Sequence, residues 1–176
     1  VKKIALILSL VFSSCLQAIS TFPQLSLYTL KGDTHTLPSG QKEIVFVGFK
    51  AVARHALIQW YHLFCEHQSK IERLGVMVIP VFPAFMANRL FRSPLITLIR
   101  QRIPDNLSDH VAVLFSNSNE TASLLQLSSG ELDTLQVYLV DENGKILWKA
   151  SGEPTAQSIR QLKQFIEPQS TVSNKH

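Results

Sequence analysis

Residues Glu43-Ile44-Val45-Phe46-Val47-Gly48-Phe49 form a short, nearly continuous apolar run, the pattern of a strand buried on both faces. The next segment limits the fold further. Across 52–73, Ala53, Leu57, Trp60, Tyr61, Phe64 and Ile71 recur at helical spacing, with His55, Gln59, His62, Glu66 and Arg73 on the other side. This predicts a long helix whose first set of residues faces inward. Gly75 is expected to end it, and 76–81 reads as a second buried strand. Strand, helix and strand in that order predict a parallel, right-handed unit and hence an α/β domain.

The rest of the chain supplies the partners of that unit. Residues 25–30 and 34–37, joined by Lys31-Gly32-Asp33, read as a small hairpin. Pro83, Pro94 and Pro104 divide 82–104 into two pieces, each suited to a short helix. A strand at 110–115, a polar loop and a short helix at 120–126 come next. Residues 137–140 and 145–149, joined by the turn Asp141-Glu142-Asn143-Gly144, predict a closing strand pair. A final helix over 154–166 is expected to face inward with Ile159, Leu162, Phe165 and Ile166, before a polar tail at 168–176. One domain, 21–167, suits a chain of 176 residues. The 45% apolar and 17% charged content excludes a disordered chain, and two cysteines cannot make a disulfide-dense scaffold.

Residues 1–20 read as a secretory signal peptide. Lys2 and Lys3 precede an apolar run at 4–12, and Ala18-Ile19-Ser20 offers small residues for cleavage before Thr21. The run is far shorter than the roughly 20 residues of a membrane span. Val11-Phe12-Ser13-Ser14-Cys15 also resembles a bacterial lipobox, with Phe12 where leucine is usual, so lipidation at Cys15 stands as the alternative to cleavage. An uncleaved anchor is the third possibility. The expected location is periplasmic, with a lipid anchor at Cys15 as the variant. Removing 1–20 leaves 15 Lys+Arg against 13 Asp+Glu, so the formal charge falls from +4 to +2. That balance, with no zinc-finger spacing, argues against nucleic acid as a partner.

The succession of hairpin, strand, helix, strand and closing strand–turn–strand–helix resembles the thioredoxin superfamily. The segment from Phe22-Pro23 through Leu30-Lys31-Gly32 to Leu37 is similar to the start of peroxiredoxin-like domains, and Val137 to Ile146 is similar to the strand pair that closes the fold. The resemblance implies a central mixed sheet flanked by helices, here with an inserted basic helical segment at 82–104. It also implies a thiolate at the start of the first long helix, where helix dipole and hydrogen bonds activate it. By alignment Arg54 and Leu57 stand at that redox position, and residues 16–64 contain no cysteine. The cis-proline expected before the Val137 strand is missing, with Leu135 nearby. Sco-type copper chaperones need two cysteines in the first loop and a later histidine, and residues 111–175 hold no histidine. A closer resemblance is to the thioredoxin-like assembly factors of mitochondrial ATP synthase. Trp60, the segment 83–104, Tyr138-Leu139-Val140-Asp141 and Lys145-Ile146-Leu147-Trp148 carry it. It implies assistance in assembling a membrane complex rather than catalysis.

No catalytic residue, cofactor or metal is therefore expected. Cys65 reads as a buried, inert thiol within the helix. His62 and Cys65 can converge, but His67 points away from them on a helix. The segment 74–104 holds no Asp or Glu, while Arg89, Arg92, Arg100 and Arg102 interleave with Phe85, Met86, Leu90, Phe91, Leu95, Ile96, Leu98 and Ile99. The expectation is a redox-inactive binding or assembly module of the bacterial envelope. It would dock a protein partner, part of a membrane or envelope complex, through Arg89, Arg92, Arg100, Arg102 and Phe91, with peripheral membrane contact as a further option. The alternatives are a structural subunit of a larger envelope complex and a thiol-dependent accessory working through Cys65 or a pocket near Lys50, Arg54 and His55.

Overall fold

The computed structural model describes residues 21–66, 74–103 and 105–166. The expected signal peptide, Cys15, His67, the end of the long helix and the polar tail lie outside the described residues.

The apolar run becomes β3 (Glu43–Gly48), buried along almost its whole length. It is central because both of its edges are used. On one side it pairs in parallel with β4 (Gly75–Phe82), Val45 opposite Met77. On the other it pairs antiparallel with β6 (Gln136–Val140), Val45 opposite Tyr138. The hairpin β1 (Leu25–Thr29) and β2 (Thr34–Leu37), β5 (Ala112–Phe115) and β7 (Ile146–Ser151) complete a seven-stranded mixed sheet of order β2-β1-β5-β4-β3-β6-β7. Gly32, at φ +99°, lets the first hairpin turn in a conformation that other residues resist.

Four α-helices flank the sheet among the described residues: α1 (Ala53–Glu66), α2 (Arg89–Arg102), α3 (Ser118–Leu124) and α4 (Ala156–Ile166). Helices α1 and α4 cover one face, where Trp60, Phe64 and Leu162 pack on Ile44, Phe46, Val137, Leu139 and Trp148. The opposite face buries Phe22, Leu27, Val45, Ile79, Leu114, Leu125 and Tyr138. A third cluster seats Ile96, Ile99 and Ile103 on Leu30, Val111 and Val113.

Several sequence expectations need correction. Gly75 opens β4, while the helix end that it was expected to form lies outside the described residues. Tyr61 does not face inward: the buried line is Ala53, Ala56, Trp60 and Phe64, and Tyr61 lies about 100° round the helix from Trp60. Phe165 is likewise exposed, one position away from the Ile159–Leu162–Ile166 line. His110 closes a 3-10 turn (Asp105–His110) rather than opening a strand. The short helix starts at Ser118 because Asn117 caps it, accepting a hydrogen bond from the Asn119 N–H at 3.0 Å.

The largest correction concerns Pro94. It does not divide the insert, because 89–102 is one continuous α-helix preceded by a 3-10 turn (Ala84–Ala87). Asn88 caps the helix through the Leu90 N–H at 3.1 Å. Pro94 lacks the N–H that would bond the Leu90 carbonyl, and its ring lies on the exposed side of the helix. Packing of Ile96, Ile99 and Ile103 beneath outweighs the one missing bond.

Candidate functional site

Two places compete for function: the corner where β3 runs into α1, and the surface of α2.

At the corner, the Ala53 N–H donates to the Lys50 carbonyl and the Arg54 N–H to the Ala51 carbonyl, both at 3.1 Å, so the turn winds directly into the helix. The residue immediately before the helix is Val52, 64% exposed. Arg54, the second helical residue, is exposed, and Leu57, the fifth, is half-buried against the α1–α4 cluster. Lys50 is ion-paired with Asp133. His55 Nε2 lies 3.7 Å from Glu153 and 3.0 Å from the Gln59 amide. These pairs are solvent-exposed, and such pairs contribute about 0–1 kcal/mol each. The corner therefore carries charge but presents no thiol or other activated nucleophile.

The floor beside it is firmly held. Trp60 Nε1 donates to the Gly152 carbonyl at 3.0 Å. The buried Gln136 amide donates to the Glu131 carbonyl at 2.8 Å and to the Thr134 and Ser151 hydroxyls at 2.9 Å. Before that, Ser128 and Glu131 close a capping box, with the Ser128 N–H and hydroxyl each 2.8 Å from Glu131 Oε2. Those bonds, backbone first, hold the Glu131 carboxyl below its usual range, and the nearby Lys149 charge adds to the effect. Burial pushes the Tyr138 phenol far up, and the Glu131 charge adds to it. The cis peptide bond among the described residues is Leu37–Pro38, away from the loop before β6.

On α2 the four arginines part company. The Arg92 guanidinium lies over the Tyr28 ring, 4.5 Å from its centre, and Arg100 donates to the Leu30 carbonyl. Both therefore tie the insert to the first hairpin. Between them a cleft of about 260 Å³ opens, bordered by Tyr28, Thr29, Gly32, Arg92 and Thr97. Arg89 and Arg102 are exposed and pair with no carboxylate among the described residues. Four apolar side chains face solvent beside them: Leu90 (78% exposed), Phe85 (63%), Phe91 (53%) and Leu98 (44%). Phe85 and Phe91 meet edge to face at 5.9 Å. Sequence reasoning singled out Phe91 and the arginines but did not separate this strip from the half-buried isoleucines. Treating 89–102 as one helix would have done so.

Cys65 belongs to the last turn of α1, and its side chain lies outside the described residues. His62 is exposed, and no cluster of three or more His, Cys, Asp or Glu converges among the described residues.

No protein-family model and no curated protein sequence matches the chain. Solved structures do. BsSco, a member of the Sco family of cytochrome c oxidase assembly proteins, is 15% identical with a TM-score of 0.55, covering 84% of this chain and 92% of its own. A thiol:disulfide interchange protein from Bacteroides sp. is 16% identical with a TM-score of 0.54, covering 90% and 95%. The exposed lipoprotein thioredoxin Etrx1 from Streptococcus pneumoniae is 14% identical with a TM-score of 0.52, covering 81% and 99%. These are likenesses of fold, and together with the mixed sheet and its parallel β3–α1–β4 unit they lead to one conclusion: the chain has a thioredoxin-like fold.

Proposed function

We propose that the protein is a redox-inactive thioredoxin-fold binding module of the bacterial cell envelope, docking a protein partner through the outward face of α2. The observation that carries the reading is the strip of Phe85, Leu90, Phe91 and Leu98 on a helix whose opposite side is already seated on the domain. A helix that serves only to cover a sheet needs one apolar face; this one has two. With Arg92 and Arg100 engaged by Tyr28 and Leu30, Arg89 and Arg102 are the cations left for a partner.

Redox inactivity is supported by the residues at the β3–α1 corner, where Val52, Arg54 and Leu57 offer no thiol. The envelope location is supported by the signal-like residues 1–20. Export is also in keeping with a fold neighbour named as an exposed lipoprotein. An assembly role draws on the resemblance of Trp60, Tyr138-Leu139-Val140-Asp141 and Lys145-Ile146-Leu147-Trp148 to assembly factors, and on a fold neighbour from a family of assembly proteins.

The test places the photo-crosslinking residue benzoylphenylalanine at Leu98 in the full chain, expressed in its native cells. Irradiation is expected to yield a discrete protein adduct that disappears when Leu90→Ser and Phe91→Ser are added. Absence of an adduct, or one indifferent to those substitutions, overturns the docking reading.

A further inference from the structure

The cleft between the first hairpin and α2, about 260 Å³ in volume, is bordered by Tyr28, Thr29 and Gly32 on the strand side and by Arg92, Ser93, Ile96 and Thr97 on the helix side. Its donors are largely unspent. Tyr28 covers the flat face of the Arg92 guanidinium and leaves the N–H groups at its edge. No carboxylate or carbonyl among the described residues accepts from those N–H groups. The Thr29 hydroxyl accepts the Asp33 N–H at 3.2 Å and keeps its own proton to donate. The Ser93 hydroxyl has no partner among the described residues. The carbonyls, by contrast, are already used. That of Thr29 accepts the Gly32 N–H at 3.1 Å, and that of Ser93 accepts the Thr97 hydroxyl at 2.9 Å. No Asp or Glu borders the cleft: Asp33 lies outside it in the turn, and Asp109 is ion-paired with Lys31.

A cleft with one positive charge, spare donors on two elements and filled carbonyls suits an oxyanion. We propose that it binds the phosphate group of a small, water-soluble ester. The guanidinium fork takes two oxygens of such a group side by side. A planar carboxylate is then used up, whereas a phosphate has a third oxygen to accept from the Thr29 and Ser93 hydroxyls. Because Tyr28 holds the fork in place, little side-chain freedom is lost when the anion arrives. The rest of the ester lies along Ile96 and past Gly32, where no heavy atom stands within 4 Å of the position a Cβ would take. The volume falls below the roughly 300–1,000 Å³ of pockets for drug-sized ligands, so the organic part is small. Ser93 and Ile96 lie about 140–160° round the helix from Phe91 and Leu98. The site is therefore separate from the outward strip, and each reading stands or falls alone.

The experiment titrates the isotope-labelled full chain with inorganic phosphate, glycerol phosphate, acetate and chloride at constant ionic strength, following the amide resonances of Gly32, Ser93 and Thr97. Saturable shifts with both phosphates are expected, with acetate several-fold weaker and chloride without effect. Arg92→Gln should weaken phosphate binding about tenfold or more. Because that change also removes the contact with Tyr28, Ser93→Asp is the second variant. Its side chain is exposed and unbonded, so the fold is kept while a carboxylate enters the cleft and abolishes binding. Lys163→Gln, which removes an exposed charge on α4, should bind as wild type does. The proposal is overturned by the absence of saturation, by an equal response to chloride or acetate, or by a response to inorganic phosphate and none to the ester. Undiminished binding by folded Ser93→Asp, or an equal loss in Lys163→Gln, overturns it as well.

Discussion

The Arg92 guanidinium stands 4.5 Å from the centre of the Tyr28 ring, joining the first turn of the inserted helix to the first strand of the chain. Tyr28 is itself braced edge to face against Phe115 of β5 at 5.8 Å. About two helical turns beyond Arg92, Arg100 reaches the Leu30 carbonyl at the end of the same hairpin strand. The hairpin and the insert thus form one unit around the Ile96–Ile99–Ile103 cluster, and the outward face of α2 is presented by a fixed helix.

That relationship is measurable. Tyr28→Ala and Arg92→Ala should each destabilise the domain. Their coupling in a double-mutant cycle should be about 0.5–1 kcal/mol, the range for a partly exposed cation–π pair. Arg89→Ala, which removes an exposed and unpaired cation, should leave the urea midpoint within experimental error. Additive effects of Tyr28→Ala and Arg92→Ala would show that the pair does no coupling.

Trp60 offers a sharper stability test. It is fully buried, packs against Phe46, Phe64 and Trp148, and donates its indole N–H to Gly152 at 3.0 Å. Trp60→Phe keeps most of the ring packing but leaves the Gly152 carbonyl without its donor, a loss of about 1–3 kcal/mol. Trp60→Ala adds a cavity and should cost about 3–5 kcal/mol. Denaturant midpoints should rank wild type above Trp60→Phe above Trp60→Ala; equal values for the first two would deny the hydrogen bond any net worth.

Much of this fold was legible because its signals are local. Residues 43–49 carry the buried central strand in their own apolar run, and Asp141-Glu142-Asn143-Gly144 specifies the turn between β6 and β7. The continuous α2 was not legible, because Pro94 reads as a breaker unless one knows that its ring faces water and that isoleucines anchor the turns beyond it. The division of the arginines was hidden for a different reason. Whether Arg92 points to solvent or to Tyr28 depends on a contact more than sixty residues away, which no local pattern contains. The Ser128–Glu131 capping box, by contrast, has a recognisable spacing and went unread, in the stretch after the helix at 120–126 to which no element was assigned.

Glu131 connects the loop before β6 to pH. Its carboxylate accepts from the Ser128 N–H and hydroxyl at 2.8 Å and lies 3.4 Å from Lys149 Nζ, so its folded pKa is depressed. A depressed carboxyl contributes stability that is fully present above its unfolded value, about 4.3, and is lost as pH falls through the folded value. Wild-type stability should therefore decline on acidification below about pH 4.3 more steeply than that of Glu131→Gln, which has no carboxyl to protonate. Urea midpoints between about pH 6 and about pH 2 check this, and parallel acid limbs would contradict it.

Gly144 predicts a backbone-specific loss. It sits in the β6–β7 turn at φ +81°, and a Cβ added there would meet the Pro38 ring at 2.6 Å. Gly144→Ala brings together a left-handed conformation unfavourable to L residues and a contact with a rigid ring, at a cost of about 1–3 kcal/mol. Gly130→Ala, with no heavy atom within 4 Å of the added Cβ, is the matched control and should be nearly neutral. Similar melting temperatures for the two variants would refute the steric argument.

The last prediction concerns the start of α1 at the β3–α1 corner. Val52 immediately precedes a helix of fourteen residues and is 64% exposed, so a thiol placed there would meet the positive end of the helix dipole in an accessible position. Ile58, the sixth helical residue and 43% exposed, offers an accessible site beyond the first turn, where that field has fallen away. Alkylation with iodoacetamide, mapped by peptide so that each cysteine reports separately, should proceed at lower pH for Val52→Cys than for Ile58→Cys. Access cannot produce the difference, since both positions are open; Lys50 adds little, being ion-paired with Asp133. A lower pH midpoint at 52 means that the start of α1 favours a thiolate placed there. Equal midpoints mean that it exerts no such field.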